Sequence, residues 1–223
     1  MMHPQSGWPL IGLAVALAGP GAVAAAAQLG APASLVAALL GEAALWGLVI
    51  VVALIVVRGE RQSLTSIGLI GLRWSSAALG IALAAATIMV VRLVLPILAA
   101  RGLVDLAPGI GAFAAWPLWL QVLAVITAGI AEETLYRGYA LTRLAAVTGS
   151  RTLAAALSIA AFAVVHMPAW GPGILLPVII GSAILTGVFL WRRDLVIVII
   201  AHVLTDSYGL IICLLYTSPS PRD

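Results

Sequence analysis

The chain has 223 residues, of which 63% are hydrophobic and 9% charged, with a mean hydropathy of +1.19. A soluble domain is roughly half apolar and a quarter charged, so this composition excludes one and defines a polytopic membrane protein. The net charge of +3 and the pI near 9.6 do not point to nucleic acid, because the arginines are scattered between apolar stretches with no basic run and no aromatic stacking surface beside them.

Windows of about 20 apolar residues predict an all-α transmembrane helical bundle of about seven helices, with spans near 8–27, 35–57, 75–100, 117–138, 152–167, 173–191 and 195–215. Pro20, Pro96, Pro168 and Pro177 interrupt or bound them, which membrane helices accept when neighbours re-satisfy the freed backbone groups. The first span carries a small-residue stretch, Ala22-Val23-Ala24, that suits a signal-peptide cleavage site. Its leader, MMHPQSGWP, has no lysine or arginine, so a retained helix is expected. Arg58, Arg61 and Arg73 follow the second span, Arg137, Arg143 and Arg151 the fourth, Arg192 and Arg193 the sixth. By the positive-inside bias these alternate connections are cytoplasmic, with the amino terminus inside, and the 101–116 and 168–172 loops lie opposite. The chain ends in CLLYTSPSPRD, which resembles an in-frame translation of a sequencing-library adapter. Residues 213–223 are therefore read as foreign, Cys213 carries no redox or ligand argument, and an eighth native helix is a corollary. This divides the chain into amino-terminal helices over 1–116, a transmembrane core over 117–212, and the tail.

Ionisable residues inside apolar stretches are the functional signal. An isolated charge at the centre of a span costs about 2.5–3.5 kcal/mol on insertion scales, so such residues are functional-site candidates by default. Glu132 and Glu133 lie in AGIAEETLYRGYAL, His166 in AAFAVVHMPAW, and His202 with Asp206 in VIVIIAHVLTDSYG. On a helix Glu133 and Arg137 are four apart and share a face, with the acid first, the better order for an ion pair. Glu132 points about 100° away, free to face a cavity. Taken on these residues alone, both glutamates equally suit the interfacial end of the fourth span, paired with arginines among headgroups. His166 precedes Met167-Pro168, where a helix ends or bends. His202 and Asp206 again share one face, far from any charged loop.

These residues form three motifs, EExxxR at Glu132, Glu133 and Arg137, FxxxH at Phe162 and His166, and HxxxN/D at His202 and Asp206. In that order, each near a span, they resemble the CAAX-protease and bacteriocin-processing family of intramembrane endopeptidases, related to the type II CAAX prenyl endopeptidase. The resemblance covers about 117–212. It implies a glutamate-dependent protease sunk in the bilayer, with Glu132 as general base on a water, helped by His166, Glu133 and Arg137 holding the helix, and His202 with residue 206 stabilising the oxyanion. Asp206 departs from the commoner asparagine. It is either protonated in its apolar setting or one step back, orienting the imidazole of His202.

No cofactor is expected. Zinc is the competing mechanism: Glu132, His166 and His202 supply three ligands plus water, but the HExxH spacing is absent, and a metal-independent site is preferred. Retained motifs also suit a non-proteolytic member of the family, acting in bacteriocin self-immunity or as a scaffold, and buried acids suit a proton-coupled transporter, although no inverted repeat is visible. The partners expected are the lipid bilayer and a membrane-associated peptide or protein substrate, in a bacterial cytoplasmic membrane. One conflict stands: with the fourth span ending at 138, Glu132 lies near the cytoplasmic end of its helix and His166 near the far end of its own. They meet only if the fifth helix is short, tilted or broken at Pro168, or the fourth continues past Arg137.

Overall fold

The computed structural model describes residues 7–29 and 34–212. The tail from Cys213 to Asp223, with the adapter reading, lies outside them. Among the described residues there is no strand, and seven helical stretches are long and apolar enough to cross a membrane: Trp8–Ala26, Leu35–Gly59, Trp74–Ala100, Leu118–Thr148, Arg151–Trp170, Pro172–Arg192 and Leu195–Ile212. Their elements in chain order are α1 (Trp8–Leu29), α2 (Leu35–Leu54, extended by a π-turn Ile55–Gly59), α3 (Trp74–Ala100), a short α4 (Ala107–Ala114), α5 (Leu118–Glu132), a π-helical segment Glu133–Ala140, α6 (Leu141–Thr148), α7 (Arg151–Trp170), α8 (Leu175–Arg192) and α9 (Leu195–Asp206), which runs on through a π-turn Ser207–Ile212.

Large apolar side chains such as Leu10, Val36, Leu40, Ile81, Met89 and Leu93 are exposed, which suits a surface bathed in hydrocarbon. Trp74 and Trp191 are exposed at the arginine-bearing ends of α3 and α8, where interfacial aromatic residues belong. The fourth span is the centre of the bundle: half of its most apolar window is buried, against 17–33% in the other spans. The helices approach one another closely where side chains are small. A Cβ on Gly129 would run into Val203 of α9, and one on Gly80 of α3 would stand 2.8 Å from Ile200 of α9.

The arginine-bearing connections gather at one end. Arg143 pairs with Glu60 at 2.6 Å and donates to Ser66 at 3.1 Å. The Leu195 amide donates to the Gly68 carbonyl at 2.8 Å, and Ser76 donates to Asp194 at 2.5 Å. Opposite them, a Cβ on Gly173 would meet the Asp105 amide at 3.0 Å.

Three boundaries differ from the sequence reading. The fourth span does not stop near 138 but continues through the π-helical segment and α6 to Thr148. Arg137 and Arg143, which read as loop charges, are buried in it. Each is neutralised by a glutamate, so neither breaks the helix. The fifth span does not end at Pro168, because α7 carries that proline in its last turn and closes at Trp170. The 101–116 connection contains α4 rather than loop alone.

Candidate active site

The continuation of the fourth span resolves the conflict of depth. Glu132 lies about sixteen residues before Thr148 and His166 about fifteen after Arg151, so across the short connection between them the two residues come level. Glu132 Oε2 stands 3.8 Å from His166 Nε2 and 3.8 Å from His202 Nε2, from three different helices. Asp206 Oδ2 lies 3.3 Å from the same His202 nitrogen.

Glu132 and Glu133 divide as their positions on the helix require. Glu133 is sealed, and its Oε1 accepts from Arg137 Nη1 at 2.8 Å and meets His202 Nδ1 at 2.7 Å. Arg137 donates its other arm to Ser182 of α8 at 2.6 Å. Glu133 and Arg137 keep 0% and 1% of their side-chain surface, while Glu132, His166, His202 and Asp206 keep 17%, 18%, 10% and 30%. The second set is therefore open at its edge, and the first is enclosed behind it.

Both histidines have their tautomers fixed from behind. The Phe162 carbonyl lies 2.7 Å from His166 Nδ1, so that nitrogen carries the hydrogen and Nε2 faces Glu132 with its lone pair in the neutral ring. Glu133 takes the Nδ1 hydrogen of His202 in the same way. The orienting role that the sequence reading offered to Asp206 thus belongs to Glu133, and Asp206 sits instead on the nitrogen that faces Glu132.

The phenyl ring of Phe162 joins the three motifs. The Arg137 guanidinium lies 4.2 Å over it, Tyr136 meets it edge-on at 5.1 Å, and the rings of His166 and His202 stand 4.6 and 6.3 Å away. The sequence reading missed Phe162 as this hub, Ser182, and the Glu133–His202 bond. Ser182 had a weak signal as a lone hydroxyl in IIGSAIL. The bond had none, because it joins residues 69 apart in the chain.

The π-helical segment starts at Glu133, immediately after Glu132, and single-turn segments of this kind are frequent at functional sites. Its wider turn has the Leu141 amide bonded to the Tyr136 carbonyl, which also accepts from Ser158 of α7 at 2.9 Å. Among the described residues six buried side-chain oxygens lack a hydrogen-bond partner, on Glu42, Thr87, Glu132, Glu133, Tyr136 and Thr186. Buried polar atoms are ordinarily satisfied, and three of these six lie together on the fourth span, at Glu132, Glu133 and Tyr136. Among the described residues, no group of three or more His, Cys, Asp or Glu side chains is arranged to hold a metal ion.

Fold and site together define an integral membrane protein with a glutamate–histidine centre inside its helical bundle. Residues 114–208, the segment that holds every residue of the three motifs, match the family model described as Type II CAAX prenyl endopeptidase Rce1-like, which at the level of the family is a CAAX-type intramembrane protease. No curated protein and no solved structure matches the chain.

Proposed function

We propose that the protein is an intramembrane endopeptidase that cleaves a membrane-associated peptide or protein through a water activated by Glu132. The observation that carries this reading is the meeting of His166 Nε2 and His202 Nε2 at one oxygen of Glu132. In the mechanism Glu132 takes a proton from water as its oxygen attacks the scissile carbonyl carbon. His166 holds that water with its free Nε2. His202, donating from Nε2 in its doubly protonated form, faces the oxyanion, and Asp206 steadies that nitrogen. When the tetrahedral intermediate collapses, the C–N bond breaks and Glu132 returns the proton to the leaving amine. No step requires a metal. The arginine-rich end belongs in the cytoplasm by the positive-inside bias, which puts the amino terminus inside a bacterial cytoplasmic membrane.

Purified protein in liposomes, given a set of membrane-associated peptides and read by mass spectrometry, tests the reading. Cleavage by the wild type that is lost in Glu132→Gln supports it. Equal cleavage by both ends the glutamate-base mechanism, and ion flux without cleavage assigns the site to transport.

A further inference from the structure

Arg92 is a cation on the third span, outside the segment that matches the family model and unused by the mechanism above. It is exposed, and among the described residues no carboxylate pairs with it. Its partner is a neutral hydroxyl: Arg92 Nη1 donates to the Tyr208 hydroxyl at 2.7 Å, from the π-turn that follows α9. Because the tyrosine oxygen is the acceptor in that bond, its own hydrogen is left to donate elsewhere. The rest of the guanidinium and this O–H stand side by side, with one positive charge and no acid to neutralise it.

Depth and shape say what meets them. Trp74, at the arginine-bearing end of α3, lies about eighteen residues before Arg92, or about 27 Å along the helix. The hydrocarbon core is about 30 Å thick, so the guanidinium stands near the headgroups of the opposite leaflet, where a long basic side chain escapes the cost of the bilayer centre. Beside it a groove of about 500 Å³ is lined by Ala85, Ile88, Met89, Arg92, Leu93 and Tyr208. Ala85, Ile88 and Met89 lie one to two turns back toward the bilayer centre, so the groove is polar at the interface and apolar beneath it. A phospholipid has the same order, phosphate outermost and acyl chain inward. A small soluble anion would leave the apolar part unfilled, and a headgroup bearing an ammonium finds no carboxylate in the lining.

We propose that Arg92 and Tyr208 bind the phosphate of a net-negative phospholipid in the leaflet opposite the arginine-rich end, with an acyl chain along Met89, Ile88 and Ala85. Tyr208 comes two residues after Asp206 and so lies close to the opposite side of its helix. The lipid therefore sits behind the span that presents His202 and Asp206, apart from the catalytic centre. It ties α3 to the end of the last span, beyond the close approach of Gly80 to Ile200.

Phosphatidylglycerol is the probe. Titrated into the full chain in detergent and read by native mass spectrometry, it should bind the wild type about tenfold or more tighter than phosphatidylcholine does. Arg92→Gln should lose that preference, and Tyr208→Phe, which keeps the ring and removes the hydroxyl, should bind about threefold to tenfold more weakly. Ala85→Trp, which fills the groove and keeps the charge, should lose binding as Arg92→Gln does, and it carries the test if Arg92→Gln fails to fold. In liposomes, phosphatidylglycerol with a photoreactive acyl chain should mark the 85–93 stretch. Equal affinity for the two lipids, wild-type binding by both Arg92→Gln and Ala85→Trp, or displacement of the lipid by inorganic phosphate at the lipid's own concentration would each overturn the proposal. So would a photolabel confined to other spans, or cross-links from this face to a second copy of the chain in place of lipid.

Discussion

Two buried glutamate–arginine pairs draw their arginines from the same long helix, and they differ in what is left over. At the arginine-rich end both oxygens of Glu60 are occupied: Oε1 accepts from Tyr139 at 2.7 Å, and Oε2 from Arg143 at 2.9 Å to Nε with Nη2 at 2.6 Å. Ser66 and Thr142 take further arms of the same guanidinium. At the other pair, Oε1 of Glu133 is bonded twice while its Oε2, like Oε2 of neighbouring Glu132, has no partner. A fully satisfied network rigidifies, whereas unsatisfied oxygens aimed at two imidazoles offer themselves to a reactant. Burial and charge are alike in the two pairs, and what differs is that Glu60 has both oxygens bonded while Glu133 has one.

The sharpest way to break this distinction is at Glu132. Replacing it with Gln should reduce kcat in the reconstituted cleavage assay by about 10²–10⁴-fold, the usual worth of a general base, with thermal unfolding in detergent unchanged. Arg143→Ala should do the reverse: by leaving Glu60 buried and unpaired it should cost about 3–5 kcal/mol of stability, seen in unfolding by denaturant, while the molecules that remain folded keep their activity. A catalytic defect in Arg143→Ala at full stability would mean that the two pairs are not divided as described.

Glu133→Gln should show both effects at smaller size. Its amide oxygen still accepts from Arg137 and His202, but the charge that matches the guanidinium is gone, so stability should fall by about 1–3 kcal/mol and kcat by about tenfold through a loosened His202. Smaller again is Asp206→Asn. If residue 206 steadies His202 Nε2 by a hydrogen bond rather than by charge, activity should remain within a few-fold, and a loss as large as that of Glu132→Gln would assign the charge of Asp206 to the chemistry. A chelator added to the cleavage assay should change nothing in the mechanism proposed, and inactivation restored by zinc would move Glu132, His166 and His202 into the role of ligands.

The spans were legible because lipid leaves a simple trace, about twenty apolar residues per crossing, and six acids, bases and imidazoles stood out against it. The end of the fourth span was not legible. Arg137 and Arg143 carry the same letter as Arg58 and Arg192 at the ends of their spans, and only their partners, Glu133 and Glu60, show that they lie within the bundle. For Arg143 that partner is 83 residues away in sequence, beyond the reach of any local pattern.

The π-helical turn at Glu133–Ala140 has a consequence for how the chain tolerates insertions and deletions. Such a turn holds one residue more than a regular helix of the same length, so loss of one residue between 134 and 140 would leave a helix that is locally better formed, not broken. The change would be local: Arg143, beyond the turn, would keep its phase and its pairing with Glu60, while Ser158 would lose the widened Tyr136 carbonyl that it now meets. A fourth helix shortened in this way should therefore insert into a membrane with undiminished helicity and lose only what the widened turn itself provides.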